Sequence, residues 1–433
     1  MFSKKKLAAL ITSAALISIA LAACGGPSDE TADGKVTLTL WQPDTREAWG
    51  KSLDYVIDSF EDAYPDVTIE NVAVPWAEIN TKIQAARVTD TLPDLMYGWG
   101  GMLSSWAWSG VSQPSDDVID EIGRDQFPEA ILKDLQVDGK TYGVPVISYP
   151  QILWYRADMF KAAGISDPST WTSWTDVSAA AKTLTDGDQY GFATFNKAPE
   201  PEILQGLMGT NDTSTFGPDG DVVIDNEKAV EALTFLAELN SYSPAGSMAN
   251  AENDTRLAFT EGCCGMMISS SSMAGVIASN PDLLSQIKGA QFPTNNGDRG
   301  LLNSVSSIAV SSTTEHVDIA KAFLEHWLSE DIYLEFSKQT ELGFLPVTSA
   351  VSESSDYWSS ERIAPITDSL KAAVAASHIA VAQGQTFGPN KCSAKALSSG
   401  IWEAMGDKVT IGNEDPAAVA KWAQSEFTTL CDG

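Results

Sequence analysis

The chain has 433 residues, and its 58 acidic side chains outnumber its 27 basic ones, giving a net charge of −31. A surface this acidic repels phosphate backbones and anionic membrane surfaces, so nucleic acid is excluded as an expected partner. Without the N-terminal segment described next, about 410 residues remain, which is more than one ordinary core holds and predicts two domains. No second long apolar run follows, so the body of the protein is expected to be soluble.

The first 24 residues have the pattern of a bacterial secretory signal. Lys4, Lys5 and Lys6 precede an apolar run over residues 7–20, and small residues lead to Cys24. This cysteine resembles that of the lipobox in bacterial lipoproteins, which carries two acyl chains after cleavage and thereby anchors the protein stably. The resemblance implies a chain that is lipid-anchored on the outer face of the bacterial cytoplasmic membrane. A signal peptide that ends near Cys24 by chance, or a membrane-spanning anchor, is the alternative, although the run is short for a span of about 20 residues.

The segment that follows is typical of a flexible tether and then of an α/β domain. Residues 25–35 are mostly small or polar and contain few apolar side chains. The predicted elements after it are a strand over 36–41, a helix over 49–60, a strand over 67–74, a helix over 76–87 and a strand over 93–97. This β-α-β-α-β order predicts a parallel sheet with right-handed crossovers.

Further periodic segments continue the α/β pattern to the C-terminus. Strands are expected at residues 151–156, 264–269 and 302–311, and helices at 158–163, 174–184, 226–240 and 317–327. A last helix begins at Asp415, which is a favourable N-cap, with Pro416 in its first turn.

Four cysteines besides Cys24 occur in the body of the chain, and they show no CxxC pair or zinc-type spacing. An oxidising exterior would allow disulfides, but four cysteines permit three complete pairings and the sequence does not choose between them. Cys392 bonded to Cys431 would secure the C-terminus. The neighbours Cys263 and Cys264 point to opposite faces if they lie in a strand, so a bond between them is not presumed.

Catalytic motifs are absent from the sequence. The chain has 3 histidines, and no metalloprotease, nucleophile-elbow or P-loop signature is present. A glycosidase needs only two carboxylates, which motif reading does not reveal, so a secreted glycan hydrolase stays an alternative.

Aromatic and polar side chains cluster at the predicted strand ends. Trp99 follows a strand among glycines, Tyr149 precedes Pro150 between two strands, and a serine-rich stretch with Met273 follows a buried strand. In open α/β sheets, ligands bind beyond the carboxyl ends of the strands. Flat aromatic faces beside hydroxyls, amides and carboxylates suit sugar rings, so this placement indicates a carbohydrate site.

Several motifs, in this order and spacing, resemble those of the extracellular solute-binding proteins of bacterial ABC importers, in the carbohydrate class that includes maltose-binding protein. The resemblance covers nearly the whole chain after the tether. The motifs are the opening strand at residues 38–41, the helix stop at 60–67, the Pro-Asp strand at 92–96, the segments at 142–145 and 154–160, and the helix start at 173–176.

The resemblance implies an α/β, two-lobed periplasmic-binding-protein type II fold, with a hinge of several chain crossings and a ligand cleft between the lobes. Lobe 1 would comprise residues 36–145 and 300–345, and lobe 2 residues 146–299 and 346–433. Ligand would favour the closed arrangement of the lobes.

The resemblance also implies which residues contact the ligand. They lie in loops after strands, in the hinge crossings and in the second lobe: Asp44, Thr45, Arg46, Trp99, Tyr149, Glu200, Ser270, Ser271, Met273, Asn303 and Phe387. Family members often have tryptophan where this chain has the stretch ending in Met273.

These observations predict a binding protein rather than an enzyme. It would bind a mono- or oligosaccharide and deliver it to the permease of an ABC sugar importer, as a monomer and without cofactor or metal. A peptide or a polyamine is the alternative ligand for the same fold. A cationic ligand would require several carboxylates in the cleft, and only Asp44 and Glu200 are candidates.

Overall fold

The computed structural model describes residues 35–197 and 202–432. The predicted signal segment, Cys24, the tether up to residue 34 and Glu200 lie outside these ranges. The strands of the described chain are β1 (Val36–Gln42), β2 (Val67–Ala73), β3 (Leu95–Trp99), β4 (Gln136–Val137), β5 (Lys140–Thr141), β6 (Val144–Arg156), β7 (Met266–Ser270), β8 (Ile287–Ala290) and β9 (Asn303–Val310).

Helices connect and cover these strands. The first ten are α1 (Glu47–Ala63), α2 (Ile79–Val88), α3 (Gly100–Trp108), α4 (Asp116–Ile122), α5 (Glu129–Lys133), α6 (Ala157–Ala163), α7 (Trp174–Leu184), α8 (Glu202–Thr210), α9 (Glu227–Ser241) and α10 (Glu252–Thr260). The next ten are α11 (Met273–Ala278), α12 (Pro281–Gln286), α13 (Val317–Trp327), α14 (Glu330–Gln339), α15 (Ser349–Ser352), α16 (Ser355–Trp358), α17 (Thr367–Ser377), α18 (Lys391–Leu397), α19 (Ile401–Thr410) and α20 (Pro416–Asp432). Short 3-10 helices span Arg124–Gln126, Pro168–Thr170, Ser247–Ala249 and Ala364–Ile366. No helix in the described ranges is long and apolar enough to cross a membrane.

The first half of the fold is the predicted β-α-β-α-β unit. β1 pairs in parallel with both β2 and β3, which confirms the parallel arrangement expected from the order of elements. α1 buries the stripe formed by Trp49, Leu53, Val56, Ile57 and Phe60, whose spacing of three and four residues places them on one helix face. α13 and α14 pack against this helix, although they are distant in sequence.

Strand β6 is the element that links the two halves of the sheet. The sequence predicted two strands separated at Tyr149 and Pro150, but the structure has one strand of 13 residues. Its first part, up to Pro150, pairs with β9, and its second part, from Gln151, pairs with β7 on one side and β8 on the other. Proline lacks a backbone N–H, and the strand changes partners where that donor is missing. β9 also pairs with β3, so β6 and β9 form the junction of the sheet.

The region around Trp99 also differs from the prediction. Trp99 is the last residue of β3 and the N-cap of α3, which begins directly at Gly100, whereas the sequence suggested a glycine-rich loop. Glycine has a low helix propensity, so the two glycines concealed this helix start. α3 packs against α18 from the C-terminal part of the chain. The lobe boundaries themselves stay a prediction.

Both disulfides join cysteines that the sequence left unpaired. Cys392 in α18 is bonded to Cys431 in α20. Cys263 is bonded to its neighbour Cys264, which the sequence did not lead us to presume. Cys263 lies in a bend after Gly262, which has a φ of 92°, and Cys264 forms an isolated bridge with Tyr190 ahead of β7, so the pair does not lie within a regular strand.

Candidate ligand-binding site

A cleft of about 440 Å³ opens where the strand ends of the two halves meet. Its size lies within the range usual for small-molecule sites. Residues of the first half, of the β6–β9 junction and of the second half all line it. They are Asp44, Thr45, Arg46, Trp76, Tyr97, Tyr149, Gln151, Glu252, Arg256, Ser270, Ser272, Ser304 and Phe344. We refer to this space as the interlobe cleft.

On the first side of the cleft, Asp44 and Arg46 form an ion pair directly after β1. Asp44 is 2% exposed, and its Oδ1 accepts hydrogen bonds from the backbone N–H of Arg46 at 3.0 Å and from its Nε at 2.9 Å. The Arg46 guanidinium lies 4.4 Å from the centre of the Phe344 ring. Burial is the largest single influence and opposes the charge of Arg46, but the hydrogen bond and charge of Asp44, with the charge of Glu341, together outweigh it and raise the pKa of Arg46.

Gln42 holds this loop in place. Its side-chain oxygen accepts from the backbone N–H of Asp44 at 2.7 Å and from the indole N–H of Trp49 at 3.1 Å. Because Trp49 is fully buried in the core, the loop that carries Asp44 and Arg46 is attached to a rigid part of the fold.

A second arginine–carboxylate pair lines the opposite side. Glu252 and Arg256 lie one turn apart on α10 and are 2.8 Å apart at Oε1 and Nη2. Arg256 also donates to the hydroxyl oxygens of Ser269 at 2.7 Å and Ser270 at 2.9 Å, while the Ser269 hydroxyl donates to Glu252 at 2.7 Å. The Arg256 side chain is only 15% exposed. Charge-assisted hydrogen bonds of this kind hold the guanidinium in one orientation.

Two aromatic surfaces complete the cleft. Trp76 is 41% exposed and lies 5.7 Å from Tyr97 and 4.9 Å from Trp99, measured between ring centres. Tyr149 stacks on Phe344 at 5.4 Å with an interplanar angle of 29°. Burial, followed by the neighbouring Tyr149, raises the pKa of Tyr97 well above its usual value, so this phenol is neutral at physiological pH.

The structure brings five of the predicted site residues together. Asp44, Thr45, Arg46, Tyr149 and Ser270 all line the interlobe cleft. They come from the loop after β1, from the β6 crossing and from the end of β7, where the resemblance placed them.

The other predicted residues that lie in the described ranges do not line this cleft. Trp99 contacts Trp76 and packs against the core. Ser271 is fully buried and donates its hydroxyl to the Gly343 carbonyl at 2.6 Å, and Met273 is fully buried in the core. The side-chain oxygen of Asn303 accepts from the Ser148 hydroxyl at 2.9 Å. Phe387 lies beside Arg299, at 4.6 Å from its guanidinium carbon.

Sequence reasoning missed eight cleft residues: Trp76, Tyr97, Gln151, Glu252, Arg256, Ser272, Ser304 and Phe344. Trp76 had a usable signal, since it follows Pro75 just beyond the end of β2, as a ligand-contacting aromatic residue would. Glu252 and Arg256 had none, because an i, i+4 pair of opposite charges is the ordinary pattern of an exposed helix. Within the described residues, no group of three or more His, Cys, Asp or Glu side chains could hold a metal ion.

The fold and the cleft define a two-lobed α/β binding protein whose ligand site lies between its halves. The chain belongs to the bacterial extracellular solute-binding protein family, whose model matches residues 55–365. Members of this family are binding proteins, so the protein is a receptor rather than an enzyme.

Relatives and solved structures agree with this assignment. The chain is 25% identical over 332 residues to the mannitol-binding protein of Pseudomonas aeruginosa, covering 72% of this chain and 74% of the relative. It is 21% identical over 337 residues to the arabinooligosaccharide-binding protein of Bacillus subtilis, covering 74% and 76%. The crystal structure of the cyclic alpha-maltosyl-1,6-maltose binding protein from Arthrobacter globiformis matches with a TM-score of 0.77 at 22% identity, over 92% of this chain and 99% of that one. The structural match confirms the two-lobed solute-binding fold predicted above.

Proposed function

We propose that this protein binds a neutral carbohydrate or polyol in the interlobe cleft and delivers it to an ABC importer. The observation that carries the proposal is the pair of arginine–carboxylate units, Asp44–Arg46 and Glu252–Arg256, which line the cleft from opposite sides. The two relatives named above are described as binding a sugar alcohol and an oligosaccharide, which supports the same class of ligand.

The charges in the cleft favour a neutral ligand. The two carboxylates and two guanidinium groups sum to zero, and each is already satisfied by its partner. A strongly anionic or cationic ligand would have to break one of these pairs and leave its partner uncompensated. Each unit instead offers a donor beside an acceptor, which matches the two roles of neighbouring sugar hydroxyls.

The aromatic surfaces of the cleft suit the apolar faces of a sugar ring. The exposed part of Trp76 and the Tyr149–Phe344 stack provide flat apolar faces for the C–H groups of a ring. Because the lining comes from both halves, a bound ligand would contact both lobes at once and stabilise the closed arrangement.

We further propose that the protein functions as a monomer, attached by lipid at Cys24 to the outer face of the bacterial cytoplasmic membrane. The signal pattern that ends in Cys24 supports the anchor. The family description places such proteins outside the cell. A lipid tether would keep the receptor near the permease while its net charge of −31 holds the body away from anionic lipid.

The direct test is ligand binding by the protein that begins after Cys24. Thermal unfolding and tryptophan fluorescence would be followed against monosaccharides, sugar alcohols, neutral oligosaccharides, uronic acids, peptides and polyamines. We expect a saturable response to a neutral sugar or polyol, with a melting temperature that rises with ligand concentration. A response confined to peptides or polyamines would overturn the proposed ligand and keep the fold.

A further inference from the structure

A second cavity, larger than the interlobe cleft, lies at the far end of β6. Its volume is about 750 Å³, and it shares no lining residue with the cleft. Its walls are β8 with the segment that follows, residues 167–172, and the beginning of α17. Gln151 lines the cleft and Tyr155 lines this cavity, so the two sites lie roughly 13 Å apart along β6. All of its lining residues belong to the segments predicted for lobe 2, and we call it the lobe 2 cavity.

One wall of the lobe 2 cavity is aromatic and fixed in position. Trp171 stacks on Phe160 with ring centres 5.8 Å apart and planes inclined by 27°. Phe160 in turn lies 4.8 Å from Tyr155, and both of these rings are buried. Trp171 itself is half-buried and lines the cavity. The indole therefore offers a supported apolar surface to a ligand.

Polar groups converge on the same space. The Tyr155 side chain is 5% exposed, and its hydroxyl oxygen, which forms no hydrogen bond within the described part of the chain, is accessible from the cavity. Burial and then the nearby Asp167 raise its pKa to about 12, so the hydroxyl keeps its proton and can donate it in a hydrogen bond. Because this hydroxyl uses no protein acceptor, it is free to donate to a ligand oxygen in the cavity.

The charged groups of the lobe 2 cavity are not paired with one another. Asp167, Asp368 and Lys288 line it, and none of the three takes part in a salt bridge within the described part of the chain. The Asp167 Oδ1 accepts from the backbone N–H of Ser169 at 2.9 Å, which orients its carboxylate. The amide of Gln291 also lines the cavity. Two carboxylates beside one ammonium group disfavour an anionic ligand.

The walls of the cavity are locked together. The backbone N–H of Gly289 in β8 donates to the Ser369 hydroxyl of α17 at 2.8 Å. A Cβ at Gly289 would lie 2.6 Å from Ile152 Cδ1 and 3.1 Å from Ser369 Cβ, so a larger residue there would force the Ile152 side chain to move. The lobe 2 cavity is therefore preformed and does not depend on how the two lobes are arranged.

We infer that the lobe 2 cavity is a second carbohydrate site, which binds a segment of a neutral oligosaccharide. A fixed indole face, the accessible Tyr155 hydroxyl, and carboxylate, amide and ammonium groups around it provide the apolar and hydrogen-bonding contacts that such a chain requires. The inference goes beyond the proposed function, because this site lies outside the interlobe cleft. It would allow the receptor to hold a long glycan independently of the portion bound between the lobes.

The test separates the two sites by mutation. In Trp76→Ala protein, whose cleft is impaired, isothermal titration calorimetry with maltohexaose, xylohexaose and cellohexaose should show binding of at least one hexasaccharide. Adding Trp171→Ala should weaken that binding at least tenfold, whereas Trp171→Phe, which keeps an aromatic face, should largely preserve it. Trp422→Ala is the matched control, since Trp422 is a half-buried tryptophan that lies outside both sites.

Several outcomes would overturn the inference. They are no hexasaccharide binding to Trp76→Ala at millimolar concentration, binding that Trp171→Ala leaves unchanged, or binding of spermidine in place of sugars. If Trp171→Ala does not fold, Gln291→Ala at the cavity wall takes its place with the same expected loss. If the cleft binds ligand but no binding event depends on Trp171, the result counts against this site alone, so it is distinguishable from a failure of the proposed function.

Discussion

The indole of Trp76 lies 4.9 Å from the indole of Trp99, with their planes inclined by 57°. Trp76 lines the interlobe cleft and is 41% exposed, whereas Trp99 is half-buried and packs against the core on both sides of the sheet. Trp99 thereby supports the ring that faces the cleft. The two tryptophans have different roles although they are in contact.

This division of roles predicts opposite phenotypes for two alanine substitutions. Trp76→Ala should weaken ligand binding by about 1–3 kcal/mol, the usual loss for an aromatic ligand contact, and leave the melting temperature nearly unchanged. Trp99→Ala should instead lower the free energy of unfolding by about 2–4 kcal/mol through a core cavity. Calorimetric titration and urea unfolding of both variants measure the two quantities. A Trp76→Ala variant with full affinity would remove Trp76 from the site.

The Glu252–Arg256 pair should contribute to affinity through its fixed orientation. Arg256→Ala removes the hydrogen bonds to Ser269 and Ser270 and leaves Glu252 without its partner. We expect a loss of about 1.5–3 kcal/mol in ligand binding, the range for hydrogen bonds to charged groups. The matched control is Lys51→Ala, which breaks the exposed i, i+4 pair with Glu47 on α1 and should leave affinity unchanged. Equal effects of both substitutions would contradict a specific role for Arg256.

The Arg156–Asp158 ion pair predicts a pH dependence of stability. The hydrogen bond from Arg156 holds the pKa of Asp158 below its ordinary value of 3.8. A carboxylate whose pKa is lower in the folded than in the unfolded protein stabilises the fold. This contribution is complete above the unfolded pKa of 3.8 and is lost as the pH falls through the folded pKa.

Asp158→Asn should therefore destabilise the protein at neutral pH. In acid, the free energies of unfolding of the variant and the parent should become equal. Because Asp158 is 41% exposed, solvent screening limits the difference to about 0.5–1 kcal/mol. Urea unfolding of both proteins at several pH values, from neutral to below the pKa of Asp158, measures this difference. A difference that persists unchanged at the lowest pH would show that the effect does not come from the charge of Asp158.

The two disulfides should differ in their contribution to stability. The Cys392–Cys431 bond joins residues 39 apart in sequence, and loop closure of this length is worth about 4 kcal/mol in the chain-entropy model. Replacing both cysteines by serine should lower the free energy of unfolding by about that amount. Cys263 and Cys264 are sequence neighbours, so the bond between them closes no comparable loop. Replacing both by serine serves as the control. Equal losses in the two variants would refute the loop-closure account.

Cys24 should determine where the protein is found. In a bacterial host that processes lipoproteins, the parent chain should label with palmitate and fractionate with membranes. Cys24→Ser should lose the label and move to the soluble fraction, because no lipid can attach to the substituted residue. Cys392→Ser is the control, since it removes a cysteine from the folded body and leaves the signal intact. Membrane association of the Cys24→Ser variant would contradict the lipid anchor.

The sequence by itself determined the β-α-β-α-β half of the fold and the positions of Asp44 and Arg46 after β1 and of Ser270 at the end of β7. These features are local: strand alternation, the spacing of the α1 stripe and the resemblance of short motifs depend on neighbours along the chain. Only the tertiary structure decided that Glu252 and Arg256 line the same cleft as Asp44 and Arg46, that Trp76 rather than Trp99 lines it, and that β6 is continuous. Those relationships join segments far apart in sequence, and they depend on packing directions that no local pattern of residues encodes.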